Sequence, residues 1–360
     1  MEIYTYRSEI KSSNNCSVIQ GSKLSGILYT IYTNEIPMIH TLMTDQIFTT
    51  ITGNTTIDTK EIEHLTVHFV DDSTNLIISK DPTKLQTYLN NFYILLQKIY
   101  HTNKLIINQE KTELMIICKN KNRKATKNIQ MYADKYRVKQ VEKVKILGFQ
   151  IQSNLHNNAQ IMKTISNINN RIYNIRKLGN NTKFETRRTL VKSIIIGKLN
   201  YAIPLLSNST KLQLQKLNSL VIKSCKTIIG NPCLRWNTTN MLNKCNLRTI
   251  YQLINEQGLI YIHKIQVTRT PLSIYRLYSA NNKNTRPKLN LQPKYNPKTK
   301  RLKNSLFYKY TELYIDVPEK IKNIPLLNYV KYSIMDYVNE KFDPYTIPDT
   351  NNNDNTTDSD

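Results

Sequence analysis

Acidic residues are scarce in this 360-residue chain. It has 26 Asp and Glu against 51 Lys and Arg, which gives a formal net charge of +25. Such an excess of positive charge favours a polyanionic partner, nucleic acid before an acidic membrane surface. The 23 tyrosines add rings that can stack on bases. Composition therefore favours a nucleic-acid-binding protein, against the plainer reading that a skewed base composition enriches Lys, Asn and Ile.

Cysteine is also scarce. The five cysteines are odd in number, widely spaced and form no Cys-x2-Cys pair. This spacing argues against a disulfide framework and predicts a reducing, intracellular compartment, nucleus or cytoplasm. It also argues against a zinc site built from Cys225, Cys233, Cys245 and His263.

Long apolar runs are missing. The most apolar stretch, residues 194–206, is interrupted by Lys198 and Pro204 and is too short to span a membrane. It therefore predicts a buried helix. No basic segment leads into an apolar run near Met1, so we expect no signal peptide and no membrane partner.

The first 155 residues mix short apolar runs with one clear helix. Residues 65–70 and 76–78 predict two strands joined by a tight turn. Apolar residues at helical spacing follow from 85 to 99, after a start signal at 81–83. Further strands are predicted at 105–107, 114–117 and 144–147.

Beyond residue 155 the apolar period becomes helical. We expect helices at about 161–175, 185–199, 211–229 and 249–266, with a stop at Gly230-Asn231-Pro232. The predicted organisation is a partial palm (1–155), a helical thumb or connection (156–270), a basic linker (271–304), a small helical C-terminal region (305–344) and a disordered polar tail (345–360).

Two adjacent carboxylates between two strands make a platform for metal ions at Phe69-Val70-Asp71-Asp72. Nucleotidyl transfer uses two Mg2+ ions about 3.5–4 Å apart, which bridge the attacking 3′-oxygen and the phosphates. Mg2+ prefers oxygen ligands such as carboxylates, phosphates and water. Neighbouring residues of an extended chain point to opposite faces, so we expect Asp71 to be the primary ligand and Asp72 a lesser one.

Four sequence blocks occur in a fixed order around this pair. They are Gln20-Gly21-Ser22 with Leu24-Ser25, Phe69-Val70-Asp71-Asp72, Asn108-Gln109-Glu110-Lys111-Thr112, and Leu147-Gly148. In this order they resemble the reverse transcriptases of non-LTR, LINE-like retrotransposons. The strong resemblance covers about residues 16–155. A weaker one continues to about residue 340 and includes residues 199–204 and 314–321.

This resemblance implies an α+β fold: a partial reverse-transcriptase palm followed by a helical thumb and a small helical C-terminal region. It implies that Asp71 and Asp72 are the catalytic residues and magnesium ligands. Gln20, Gly21 and Ser22 would line the pocket where the template meets the incoming nucleotide. The glycine would let the backbone approach the base pair closely.

Other residues receive roles from the same resemblance. Lys111 would contact the triphosphate or donate a proton, and Leu147-Gly148 would form the strand that grips the primer end. The basic faces of the thumb would follow the duplex through its phosphates. The implied activity is RNA-directed DNA synthesis with two Mg2+ ions, an RNA template, a DNA primer or duplex, and deoxynucleoside triphosphates.

The sequence departs from the family before Gln20. The family places its first catalytic aspartate in an earlier strand, whereas here only Glu2 and Glu9 precede the block, and Asp45 and Asp58 follow it. The finger segments are missing as well. We therefore expect an N-terminally truncated polymerase that is impaired or inactive. The alternatives are a non-catalytic nucleic-acid-binding remnant, a subunit of a split polymerase whose second polypeptide supplies the missing segment, and a maturase-like RNA chaperone.

One segment imitates the catalytic turn. Tyr132-Ala133-Asp134-Lys135 begins like it, but Lys135 replaces the second aspartate and the segment follows the Lys111-Thr112 block. We predict that it is the end of a surface strand.

Overall fold

The computed structural model describes residues 24–33, 62–118, 129–133, 136–179, 182–230, 237–279, 292–293, 296–325 and 327–345. The protein is mixed α+β, with helices and small two-stranded sheets, as the sequence predicts. The chain divides into two compact units. The first holds residues up to Gly148 with Gln152–Leu155, and the second holds Phe149–Ile151 with residues from His156 onward.

An antiparallel hairpin forms the longest sheet of the described first unit. Strand β1 spans Ile62–Phe69 and strand β2 spans Asp72–Ser79. Their register runs from Ile62 opposite Ser79 to Phe69 opposite Asp72. The predicted pair of strands around a tight turn is therefore confirmed, and both strands are longer than their apolar runs suggested.

Two helices accompany the hairpin, α1 (Ser25–Tyr32) and α2 (Pro82–Thr102). Helix α2 begins where the start signal predicts. The Asp81 carboxylate accepts a hydrogen bond from the Thr83 amide at 2.8 Å, and Pro82 takes the first helical position, where an N–H group has no partner to lose. One side of α2 supplies most of the core of this unit. The buried side chains of that core are Ile62, Tyr88, Leu89, Phe92, Tyr93, Leu95, Leu96, Ile129, Met131 and Val138.

Short elements complete the first unit. They are the 3-10 turn Gln109–Lys111, β3 (Glu113–Leu114), β4 (Tyr132–Ala133), β5 (Tyr136–Arg137), β6 (Lys139–Gln140) and β7 (Lys143–Ile146). Strand β3 pairs with β6 in parallel, and β4 pairs with β5 antiparallel. Tyr132 is exposed in β4, as predicted for the segment Tyr132-Ala133-Asp134-Lys135. Asp134 and Lys135 lie outside the described residues.

Two predicted strands of this unit differ in the structure. Residues 105–107 form no strand, and Ile106 is 93% exposed, so the apolar run has no sheet to join among the described residues. The run at 114–117 contributes only Leu114 to β3. By contrast, the run at 144–147 forms strand β7 as far as Ile146.

Helices dominate the second unit, after β8 (Phe149–Gln152). They are α3 (Asn158–Lys177), α4 (Phe184–Leu190), α5 (Gly197–Asn200), α6 (Lys211–Ile229), α7 (Thr238–Cys245), α8 (Ile250–Thr268), α9 (Leu272–Tyr275), α10 (Lys300–Lys303), α11 (Leu306–Ile315), α12 (Glu319–Lys322) and α13 (Leu327–Lys341). A π-helical turn at Val191–Ile196 joins α4 to α5, and a 3-10 turn follows at Ile203–Asn208. The four helices predicted between 161 and 266 are confirmed, the second as this interrupted α4–α5 segment.

The ends of the long helices follow from their sequences. Thr210 and Thr249 cap α6 and α8, and each accepts a hydrogen bond from the amide of a glutamine three residues later that reaches back to it. Gly230 ends α6 with φ of +79°, a left-handed conformation that suits glycine. The predicted stop after Ile229 is thus confirmed.

Helix α8 lies at the centre of the second unit and is buried on most of its sides. Its Gly258 lies directly against the ring of Tyr310 in α11, so the two helices approach closely. The Tyr310 hydroxyl donates a hydrogen bond to Asn255 at 3.0 Å, which satisfies a polar group in a fully buried setting.

The region from 271 to 304 carries short elements in its described parts: α9, α10 and the strand pair β9 (Tyr278–Ser279) with β10 (Gln292–Pro293). Tyr278 is buried, and its hydroxyl lies 3.0 Å from that of Thr311. The predicted polar tail lies outside the described residues beyond Tyr345. Among the described residues, no helix combines the length and the apolar character that a membrane crossing needs.

Candidate functional site

The turn of the hairpin consists of Val70 and Asp71, because Phe69 and Asp72 form the last cross-strand pair. Val70 has φ of +55°. A two-residue hairpin loop requires such left-handed backbone, which glycine adopts freely and a β-branched residue adopts at a cost of about 1–3 kcal/mol. The turn therefore stores strain next to the carboxylate that the sequence singled out.

The two carboxylates occupy different positions. Asp72 shares the outward face of the hairpin with Phe69, and Asp71 belongs to the turn itself. Both side chains are exposed. Among the described residues, no Lys or Arg forms an ion pair with either carboxylate. Within the described part of the chain, the pair thus places two negative charges at the tip of the hairpin without an ion-pair partner.

Helix α1 lies beside this tip. Burial raises the pKa of the Tyr29 hydroxyl, and the negative charge of Asp71 raises it further. The hydroxyl of Tyr32 donates a hydrogen bond to the carbonyl of Asn103, at the end of α2. The structure therefore places the helix that follows the Gln20-Gly21-Ser22 block close enough to the turn for the charge of Asp71 to act on Tyr29.

Gln20, Gly21 and Ser22 themselves lie outside the described residues. Their predicted contact with the template and the incoming nucleotide stays a prediction. The described portion of their block is Leu24 and Ser25, where α1 begins.

A tyrosine from α2 also lies near the turn. Burial is the main cause that raises the pKa of Tyr100, and the neighbouring Tyr29 adds to it. A side-chain hydrogen bond with Ser73 acts in the opposite direction. Ser73 directly follows the carboxylate pair, so Tyr100 connects the first residues of β2 to the helix.

Polar side chains continue behind β2. The Asn75 amide oxygen accepts hydrogen bonds from Thr66 at 2.8 Å and from His64 Nε2 at 3.1 Å. His64 Nδ1 lies 3.0 Å from the Tyr88 hydroxyl, and the Asn75 amide nitrogen donates to Ser73 at 3.3 Å. Since Nε2 donates to a carbonyl-type oxygen, Nδ1 accepts from Tyr88. These contacts make a continuous network that ends one residue from Asp72.

The hairpin thus carries polar residues on its inner side, near the turn, and apolar residues on its outer side. The outward side chains Leu65, Val67, Phe69, Leu76 and Ile78 are each between 46% and 57% exposed. Only the end remote from the turn packs apolar side chains inward, through Ile62 and Ile77. The sequence alternation predicted strands correctly, but it did not show which face would be covered.

His68 lies on the inner side of the hairpin, opposite Ser73 in the register. Its Nε2 atom is buried without a hydrogen-bond partner among the described residues. Burial lowers the pKa of its imidazole. An unpaired buried nitrogen costs about 1–3 kcal/mol, which the strand pairing around it must offset.

Lys111 lies at the end of the 3-10 turn and is exposed. Its amide donates a hydrogen bond to the Asn108 side chain at 3.1 Å. This hydrogen bond explains the three-residue spacing of Asn108 and Lys111 by local structure, because the Asn108 side chain caps the turn. The predicted role of Lys111 at the triphosphate stays a prediction.

Leu147 and Gly148 were expected to form a strand, and this expectation is wrong. Leu147 has φ of +46° and Gly148 has φ of +87°, so both are left-handed residues of a turn. The strands end on either side of them, β7 at Ile146 and β8 from Phe149. The glycine supplies the positive φ that this turn needs. The Leu-Gly pair alone does not indicate a turn, because the turn becomes visible only when the ends of the flanking strands are known.

Asp71 and Asp72 have the donor chemistry of a magnesium site, namely two exposed carboxylates without cationic partners in the described chain. Mg2+ is commonly held by one or two carboxylates, with substrate phosphates and water completing its six positions. Within the described ranges, no group of three or more His, Cys, Asp or Glu side chains converges to hold a metal ion. The residues present therefore fit magnesium shared with a phosphate ligand rather than a closed protein cage.

Sequence reasoning missed the residues that surround the turn: Tyr29, Tyr100, Ser73, Asn75 and His64. The available signal was the run of polar residues at alternate positions of β1 and β2. Such a run on the covered face requires hydrogen-bond partners, because buried polar groups are normally paired.

Family models, curated proteins and solved structures all yield no match to this chain.

Proposed function

We propose that this chain is the palm and thumb portion of a reverse transcriptase, an RNA-directed DNA polymerase of the non-LTR retroelement kind. The observation that carries the proposal is the position of Asp71. It lies in a strained two-residue turn between two strands, and its charge acts on Tyr29 of α1, the helix that follows the Gln20-Gly21-Ser22 block. The order of the four sequence blocks supports the same conclusion.

In this proposal Asp71 and Asp72 hold Mg2+ together with the phosphates of a deoxynucleoside triphosphate. When bound, these ions would supply charge stabilisation at the reacting phosphates. The chain's own contribution is positioning: the register that ends at Phe69 opposite Asp72 fixes both carboxylates at the tip. Tyr29 and Tyr100 lie near the turn, and burial raises the pKa of each hydroxyl.

A second candidate function is non-catalytic nucleic-acid binding, either as a remnant or as one subunit of a split polymerase. Two observations favour it. The described residues provide two carboxylates and no third ligand at the turn, and the chain carries a net charge of +25. In a split enzyme, a second polypeptide would supply the missing carboxylate-bearing strand.

Primer extension distinguishes the two. The full chain is incubated with an RNA template, a DNA primer, deoxynucleoside triphosphates and Mg2+. We expect slow extension that Asp71→Asn lowers by at least about a hundredfold, because phosphoryl transfer depends on charge stabilisation at the reacting phosphates. Glu63→Gln is the matched control, since it removes an exposed carboxylate from the far end of the same hairpin.

A direct metal measurement accompanies the assay. Binding of Mn2+, followed by water proton relaxation with a nucleotide triphosphate present, should weaken in Asp71→Asn and persist in Glu63→Gln. Extension that is equal in the wild type and Asp71→Asn would contradict the catalytic proposal. Absence of extension together with retained RNA binding would favour the second candidate.

A further inference from the structure

The described surface between residues 305 and 345 differs in charge from the chain as a whole, whose net charge is +25. Lys309 and Lys322 are buried in this described region, which leaves Lys320, Lys331 and Lys341 as its exposed cations. Six carboxylates are exposed there, namely Glu312, Asp316, Glu319, Asp336, Glu340 and Asp343. This surface therefore favours a cationic partner, whereas the chain as a whole favours an anionic one.

Helix α13 has one buried side and one exposed side. Val330, Ile334 and Val338 are buried in the core of the second unit. On the opposite side, four side chains lie within an arc of about 80° around the helix axis, at about 100° per residue. We name this set the α13 stripe, and its members are Tyr329, Tyr332, Asp336 and Glu340. The rings of Tyr329 and Tyr332 are 65% and 68% exposed.

The two carboxylates of the stripe lower the stability of the helix that carries them. Asp336 and Glu340 are four residues apart, which makes two like charges neighbours on the helix surface. Glu340 also lies in the last turn, where the negative end of the helix dipole repels it. Among the described residues neither carboxylate forms an ion pair, and Lys331 and Lys341 lie about 100° or more away around the axis. This cost points to a cation that a partner supplies.

Other exposed tyrosines of the second unit show what an exposed ring attracts. Lys177 lies over the ring of Tyr173, with Nζ 4.6 Å from the ring centre, and Lys198 lies over the ring of Tyr201 at 5.3 Å. The negative face of an aromatic ring attracts such a cation. Within the described ranges, no cation of the chain lies over either ring of the α13 stripe. The stripe therefore offers two ring faces and two carboxylates, all of which suit cations.

A single exposed tyrosine or an isolated acidic side chain is an ordinary surface feature. The α13 stripe differs because both kinds of group occur in one row with a defined length. The row covers eleven residue steps, or about 16 Å at a rise of about 1.5 Å per residue. An extended peptide advances about 3.3 Å per residue and points alternate side chains to one side, so about five residues would cover the row. Arginine suits both halves of it, because its planar guanidinium stacks on rings and pairs with carboxylates through two hydrogen bonds.

We propose that the α13 stripe binds an extended, arginine-rich segment of a partner protein. Guanidinium groups of that segment stack on Tyr329 and Tyr332 and pair with Asp336 and Glu340. The acidic surroundings repel a phosphate backbone, so this surface selects a different partner from the one that the net charge of the chain favours. The inference goes beyond the proposed function and does not rest on it.

The test separates the two halves of the stripe. Tyr329→Ala with Tyr332→Ala removes both rings, and Asp336→Asn with Glu340→Gln removes both charges. The matched control is Tyr173→Ala with Glu312→Gln. It removes a ring that is 59% exposed on α3 and an exposed carboxylate on α11. All of these side chains are exposed, so each variant should fold.

The probe is a rhodamine-labelled peptide of alternating arginine and serine, and binding to the full chain is measured by fluorescence anisotropy. We expect the tyrosine variant to bind about five- to tenfold more weakly. The charge variant should bind about tenfold more weakly at low salt, with a smaller difference at about 0.15 M ionic strength. It should also melt at a higher temperature than the wild type, because the like-charge pair is gone. The control variant and Asp71→Asn should stay within about twofold of the wild type.

Several results would overturn the proposal. The first is that the wild type does not bind the arginine peptide, or binds a peptide with glutamine in place of arginine equally well. The second is that the control variant loses as much affinity as the two stripe variants. The third is that single-stranded RNA binds through the same two tyrosines, which would make the stripe a base-stacking surface. The fourth is that sedimentation shows self-association that the tyrosine variant abolishes, which would make the occupant a second copy of this chain.

Discussion

The ring of Tyr310 fills the position that a side chain at residue 258 would occupy. A β-carbon added to Gly258 would lie 2.6 Å from ring carbons of Tyr310, a distance at which atoms must move. Tyr310 is fully buried, and its hydroxyl is tied to Asn255, so the ring cannot move aside without losing that hydrogen bond. The contact between α8 and α11 therefore depends on the absence of a β-carbon at residue 258.

Gly258→Ala should destabilise the second unit by about 1–3 kcal/mol, because overpacking forces backbone or side-chain shifts. Urea denaturation followed by circular dichroism measures the loss. Gly197→Ala is the control, since a β-carbon there meets only the Lys192 carbonyl at 3.8 Å. It should leave the free energy of unfolding unchanged or raise it by about 0.5–1 kcal/mol. Equal effects of the two substitutions would contradict the close approach of α8 and α11.

Val70→Asn should stabilise the hairpin by about 0.5–1 kcal/mol. Asparagine tolerates left-handed backbone much better than valine, and the φ of Val70 is +55°. Val67→Asn is a matched control, because Val67 is 52% exposed and Val70 is 53% exposed, but Val67 lies within β1. There asparagine should destabilise the strand. Thermal unfolding of both variants tests the sign, and a stabilised Val67→Asn or a destabilised Val70→Asn would argue against a strained turn.

His263 should make the second unit sensitive to acid. Its Nε2 donates to the Ile324 carbonyl at 3.0 Å, so Nδ1 must be the acceptor for the Tyr314 hydroxyl at 2.7 Å. Burial lowers the pKa of this imidazole, partly opposed by the hydrogen bond to Ile324. The folded state therefore binds fewer protons than the unfolded state near pH 6.5. The resulting stability is present above the unfolded pKa and is lost as pH falls through the folded pKa.

The free energy of unfolding should accordingly fall as pH drops below about 6.5. His263→Gln should flatten this part of the profile. Tyr314→Phe is the informative comparison, since it removes the donor to Nδ1 but keeps the imidazole. It should lower stability by about 1–3 kcal/mol while keeping a slope. A slope that survives in His263→Gln would assign the acid sensitivity to another group.

The sequence predicted the elements whose signals are local. Helix α2 follows from its apolar spacing and from Asp81-Pro82-Thr83, and α6 ends where Gly230 allows it. The hairpin was equally visible, because its two-residue turn needs no information from elsewhere in the chain. The strand predicted at residues 105–107 does not form because an apolar run becomes a strand only if the edge of another strand is available to pair with it. The run itself does not show whether such an edge exists.

The site was predicted only in part for a similar reason. Asp71 and Asp72 could be recognised from their neighbours in sequence. The electrostatic effect of Asp71 on Tyr29 joins positions more than 40 residues apart. The network of His64, Asn75 and Tyr88 likewise depends on how the hairpin rests on α2. Such contacts arise from packing, which spacing along the chain does not determine.

The pairing of Phe69 with Asp72 also determines which mutations of this hairpin evolution can tolerate. Side chains alternate between the faces of a strand, so one residue inserted into or deleted from the loop would invert the face on which every later residue of β2 lies. Asp72 would then lie on the inner face and Ser73 on the outer face, and Asn75 would lose its hydrogen bond with His64. Substitutions at Val70 should therefore be far better tolerated by evolution than any change in the length of this loop.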